Sequence, residues 1–110
     1  MVAPPQIEIR QEFDSTVFEG RVFVFTGELY ELTRSEAIRL VEKRGGTCKN
    51  AVSTFVSHLV VGQELWNRYK QGDAPTTKIC KAMELQAVEH PIQIIPEVAF
   101  LTSLVRYEIE

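Results

Sequence analysis

Apolar positions along the chain fall into short unbroken runs separated by amphipathic stretches, and the two patterns alternate. "VFVFT", Val22 to Thr26, is a continuous run of β-branched and aromatic residues, the pattern of a strand covered on both faces. After Gly27 comes "LTRSEAIRLVEKRGG", where Thr33 and Glu36 stand at capping-box spacing, Ala37, Ile38, Leu40 and Val41 form an apolar stripe, and Gly45-Gly46 close it. This predicts a helix over 34–44. "TCKNAVS" reads as a short strand and turn, and "SHLVVG" as a second buried strand ended by Gly62. "TTKICKAMELQAVEH" predicts a helix capped by Thr76 or Thr77, with Ile79, Cys80, Met83 and Ala87 on one side. "IQIIP" is a further buried strand, and "PEVAFLTSLV" a closing helix with Pro96 in its first turn.

The order is strand, helix, strand, strand, helix, strand, helix, which favours an α/β fold with a parallel sheet sandwiched by helices. One stretch interrupts it. "QELWNRYKQGDAP", residues 63–75, is polar and carries Gly72 and Pro75; a compact domain justifies so long a connection by function or by a helical turn of its own. Residues 1–17 hold Pro4, Pro5 and scattered charges and are expected to be an extension or linker, although "QIEIR" alternates and can add an edge strand. Residues 18–105 then form the domain and 106–110 a tail.

A chain of 110 residues has room for one core and not for two. Apolar content of 45% and charged content of 25% match an ordinary soluble globular protein. No apolar run approaches the roughly 18 residues that span a bilayer, and the start lacks the basic-then-apolar order of a secretory signal; the expectation is a cytosolic protein without membrane contact. Cys48 and Cys80 form no CxxC or CxxH pattern, so no metal site is indicated, and both read as reduced, buried, small apolar residues. His58 and His90 also lack partners at ligand spacing and read as structural.

The net charge of −3 argues against a strongly cationic DNA clamp. Its distribution softens the objection. Six of the fifteen acids lie in the terminal segments, and Arg21 to Val105 holds ten basic and nine acidic residues, which leaves room for a local basic face.

The junction "FTGELYELTR" carries the candidate chemistry. A strand ending at Thr26-Gly27 and a helix starting at Arg34 bring outward-pointing N–H groups together, a recipe for holding a phosphate. Thr26 offers a hydroxyl, Gly27 an unobstructed N–H, and Arg34 a positive charge. The plainer readings are that Thr-Gly merely terminates the strand and that Arg34 is a solvated charge. A cation at a positive helix end is locally unfavourable, however, and makes more sense with an anion beside it. Lys81 and Arg68 are secondary candidates for phosphate contact, although a solvated face explains each. Trp66 and Tyr69, one turn apart, read first as a cover for the core and alternatively as a stacking surface for an exposed base or a plug for a partner's groove. Glu28 and Glu31 make no credible acid–base pair, as nothing nearby supplies a nucleophile or metal.

Together, "FEGRVFVFTGEL", "RSEAIRLVEKRGGT", "VSTFVSHLVVG", "TKICKAMEL" and "IQIIPEVAFLTSL" resemble a BRCT domain over about Phe18 to Val105. The likeness is to the subgroup in bacterial NAD-dependent DNA ligases, the replication factor C large subunit and some exonuclease-like proteins. The resemblance implies a four-stranded parallel sheet with two helices on one face and one on the other, and a non-catalytic recognition module without a cofactor. It also implies phosphate binding by Thr26, Gly27, Arg34 and Lys78, the last at the start of the second long helix. The implied role is in DNA replication or repair, with DNA carrying a 5′-phosphate at an end or nick as partner and a fused or associated DNA-processing enzyme. The alternative it implies is a protein-interaction module that binds a phosphoprotein through phosphoserine or mediates assembly. The implied location is the bacterial nucleoid, or the nucleus in a eukaryote. Two departures stand out: Phe100 occupies the place of a family tryptophan in the last helix, and the 63–75 connection is longer than in the plain ligase type, which can displace Lys78.

Overall fold

The side-chain alternation of the first strand decides the layers. In the computed structural model, which describes residues 18–109 and side chains as far as Leu104, the elements run β1 (Val22–Thr26), α1 (Arg34–Lys43), β2 (Thr47–Cys48), β3 (His58–Val61), α2 (Gln63–Lys70), α3 (Thr77–Ala87), β4 (Gln93–Pro96) and α4 (Glu97–Ile109). Phe23 and Phe25 point to one side of β1, with Val60 of β3, and meet Ala37 and Val41 of α1 and Phe100 and Leu104 of α4. Val24 points to the other side, with Leu59 and Val61, and meets Ile79 and Ala82 of α3. Both faces of the sheet are therefore covered, and this is why the strands read as unbroken apolar runs.

The four strands are all parallel and lie in the order β2-β1-β3-β4. This bears out the expected α/β architecture. The 63–75 connection resolves into a helix of its own, α2, so among the described residues four helices flank the sheet where the sequence pattern marked three. Leu65, Trp66 and Tyr69 of α2 pack against the α3 side of the core. The expected linker 1–17, with its candidate edge strand, lies outside the described residues. At the other end, α4 continues through residues 106–109 to Ile109.

Local chemistry accounts for the helix ends. Thr33 Oγ1 accepts from Glu36 N–H at 3.1 Å while Glu36 Oε1 accepts from Thr33 N–H at 2.9 Å, so the capping box is complete. Past its C-terminus, Gly45 takes a φ of +88°, and a Cβ at Gly46 would sit 2.6 Å from Val41 Cγ1. Thr76 caps α3 through Ile79 N–H. The buried stripe of α3 departs from the expected one: Ile79 and Ala82 are buried and Leu85 half-buried, whereas Cys80, Met83 and Ala87 face outward. Residues one place further along turn about 100° round the helix, and contact with β3 and β4 selects the 79–82–85 row. Cys80 is thus exposed and Cys48 half-buried, which corrects the reading of two buried thiols. Phe100 does fill the core: it is fully buried and meets Phe25 edge-on at 5.3 Å between ring centroids. Removing such a ring costs about 3–5 kcal/mol.

Candidate functional site

The early end of β2 creates the site. The edge strand pairs only Val22 with Thr47 and Phe23 with Cys48, and its last rung is the bond from Lys49 N–H to the Phe23 carbonyl at 2.9 Å. One repeat further along β1, no described strand pairs with the Phe25 carbonyl. Two cations take it instead. Arg34 Nη1 donates to Phe25 O at 3.3 Å and Lys78 Nζ donates to the same oxygen at 3.0 Å. Arg34 Nη2 also donates to Gly27 O at 3.0 Å. The guanidinium and the ammonium, from the first turns of α1 and α3, can therefore lie no further apart than those two bonds laid end to end.

Two like charges held this close repel each other. Partial burial first, and the Arg34 charge second, lower the pKa of the Lys78 ammonium below the ordinary 10.5. Among the described residues neither cation has a carboxylate partner. Each keeps spare donors, since a guanidinium has five N–H groups and an ammonium three. They open on a space of about 90 Å³ that Lys49, Asn50, Cys48 and Glu42 also line. A space of this size admits water or a small polyatomic anion. Three cations and one carboxylate leave the space net positive. Burial first, and Glu42 second, push the Cys48 thiol up to about 11, so it stays protonated at neutral pH.

Of the four residues of the expected phosphate set, Arg34 and Lys78 are brought together. Gly27 borders them through its carbonyl, with a φ of +80° that favours glycine, and its N–H bonds to none of the described residues. Thr26 is only 7% exposed and pairs with Val61, its side chain directed to the α3 side of the sheet. The longer 63–75 connection has not carried Lys78 away. Trp66 and Tyr69 stand edge-to-face at 6.1 Å, half-buried against the core, with the Lys70 ammonium 4.8 Å from the Trp66 ring. Arg68 is exposed on α2 and Lys81 exposed on α3.

Sequence reasoning missed Lys49 and Asn50, which reach the space because β2 stops just before them. It also missed Glu97. Glu97 is 2% exposed, and its carboxylate accepts from three backbone N–H groups: Tyr30 at 2.8 and 3.0 Å, Glu31 at 2.9 Å and Gln63 at 3.2 Å. Gly62 at the α2 N-cap offers no side chain, so Glu97 caps α2 from the start of α4 and ties the β1–α1 loop to it. The same junction needs Gly62, because a Cβ there would collide with the Glu28 carbonyl. The clamp holds the loop that runs from Gly27 to Arg34.

The model of the BRCA1 C Terminus (BRCT) domain family matches residues 13–87. The chain is 40% identical over 86 residues to the DNA ligase of Thermoanaerobacter sp. (strain X514), covering 78% of this chain and 11% of the ligase. It is 38% identical over 93 residues to the DNA ligase of Thermoanaerobacter pseudethanolicus (strain ATCC 33223 / 39E), covering 84% and 12%. To the DNA ligase of Syntrophomonas wolfei subsp. wolfei (strain DSM 2245B / Goettingen) it is 33% identical over 93 residues, covering 84% and 12%. The chain thus spans 11–12% of the length of these relatives. With more than half of its residues matched by the family model and a four-stranded parallel sheet as the resemblance implied, the chain belongs to the BRCT domain family.

Proposed function

We propose that this BRCT domain is a non-catalytic module that recognises the 5′-phosphate of a DNA end or nick for a DNA-joining or DNA-processing protein. One observation carries the reading: Arg34 and Lys78 converge on a single carbonyl oxygen, with no carboxylate of the described residues paired to either, at the mouth of an anion-sized space. A phosphate there relieves the mutual repulsion and takes up the spare donors of both cations, with Lys49 as a third positive charge and the Gly27 N–H as a neutral donor. The likeness to DNA ligases supports DNA as the source of the phosphate. A phosphoserine presents the same chemistry and is the competing ligand.

The test is a titration at stated salt with a duplex bearing a 5′-phosphate, the same duplex ending in hydroxyl, and a phosphoserine peptide. The phosphorylated duplex is expected to bind tightest, and Arg34→Ala or Lys78→Ala to weaken it roughly ten- to a hundredfold, the scale of one charge-assisted bond. Equal affinity for phosphate and hydroxyl ends removes the reading. Tighter binding of the peptide reassigns the pocket to phosphoproteins.

A further inference from the structure

Beyond the phosphate pocket, the loop joining β2 to β3 carries a side chain that the fold leaves unused. Phe55 is 80% exposed, while Val52 and Val56 on either side of it are 5% and 1% exposed. The loop is anchored rather than loose. Its two valines enter the core, Val56 N–H donates to the Ser53 carbonyl at 3.1 Å, and Phe55 N–H donates to Ser53 Oγ at 3.2 Å. The ring is thereby presented to solvent by a fixed backbone.

Beside it lies an open groove of about 700 Å³, with Phe55, Ala51 and Val22 as apolar lining and Lys49, Asn50 and Ser53 as polar lining. Among the described residues no carboxylate lines this groove. Lys49 and Asn50 line both the groove and the Arg34–Lys78 space, so the two are neighbours that share that pair of residues. A fixed aromatic ring, a lysine, and amide and hydroxyl groups are the equipment of a single-strand platform, where a base stacks on the ring and the cation follows the backbone.

We infer that the β2–β3 loop is a second nucleic-acid contact: the unpaired base next to a 5′-phosphate stacks on Phe55, while Lys49 and Asn50 hold the backbone between them. This rests on the phosphate reading above, because the pocket anchors the strand. It assigns to the domain a preference for ends whose phosphate-bearing nucleotide is unpaired.

Anisotropy titrations of the full chain would compare a 5′-phosphorylated duplex with a short single-stranded 5′ overhang, the blunt phosphorylated duplex, and the overhang duplex ending in hydroxyl. The overhang is expected to bind tighter than the blunt end. Phe55→Ala should erase that difference, a loss of roughly five- to a hundredfold on the overhang, and Phe55→Tyr should retain it. Lys49→Ala should lower the slope of log affinity against log salt on the overhang by about 0.7. Unchanged thermal midpoints check that the variants fold, as the exposure of Phe55 leads one to expect. If phosphate selectivity persists and Phe55→Ala leaves the overhang affinity unchanged, this inference alone is overturned. If the unaltered chain does not distinguish phosphate from hydroxyl, the pocket reading and this inference fall together. A Phe55-dependent preference for a phosphoserine peptide over the overhang would make the loop a protein contact and overturn it as well.

Discussion

Glu97 is the residue whose loss the structure makes most informative. Replacing it by alanine removes the acceptor of the Tyr30, Glu31 and Gln63 N–H groups at once. A buried donor left unsatisfied costs about 1–3 kcal/mol. Three such groups set an upper range of several kcal/mol, reduced because water can enter from the neighbouring cavity of about 320 Å³ that Glu97 lines. A loss of roughly 3 kcal/mol is expected, which for a domain of this size lowers the midpoint of thermal unfolding by roughly 10–20 °C. Glutamine should be little better than alanine, since Oε1 and Oε2 both accept and an amide turns one acceptor into a donor facing a donor. Formate or acetate should restore part of the stability of Glu97→Ala, by refilling the main-chain anion site. Urea titrations of the three proteins with and without formate provide the assay. A Glu97→Gln variant within about 0.5 kcal/mol of the unaltered chain would refute the reasoning, since size and polarity alone would then suffice.

Four further outcomes are expected. Lys78→Met should weaken phosphate binding by roughly the same ten- to a hundredfold without losing thermal stability, because Arg34 retains the Phe25 carbonyl and the repulsion between the cations ends. Glu42→Gln should tighten binding by up to about fivefold, the scale of one exposed charge pair; parallel melts and titrations check both. Burial first, and Arg21 second, hold the His58 imidazole below 6.5, so the unfolded chain takes up a proton first as pH falls. The stability present above pH 6.5 is then lost as pH drops through the folded-state value, and His58→Phe, which keeps a ring stacked on Phe23, should flatten that limb in urea midpoints measured against pH. A thiol reagent under native conditions should label exposed Cys80 and spare Cys48, whose thiol is raised to about 11; mass spectrometry reads the site, and equal labelling would contradict the burial of Cys48.

The layout of the fold was legible along the chain because each signal is local. Unbroken runs such as Val22–Thr26 mark strands buried on both faces, and the Thr33–Glu36 box fixes where α1 begins whatever surrounds it. Signals that depend on packing were not legible in the same way. The short polar segment that forms α2 has an amphipathic stripe only relative to a core supplied by other elements. Likewise the buried row of α3 was chosen by β3 and β4, which turned Cys80 outward.

The site divides along the same line. Residue types and their order pointed to Arg34 at the head of one helix and Lys78 at the head of another, 44 positions apart. Their meeting required the parallel sheet to bring both helix starts to its carboxyl edge, and required β2 to end two residues in, so that the Phe25 carbonyl stood open to both. Lys49, Asn50 and the Glu97 clamp belong wholly to that second stage. Their roles follow from which backbone groups are left unpaired once the strands have assembled, and unpaired groups leave no trace in the order of side chains.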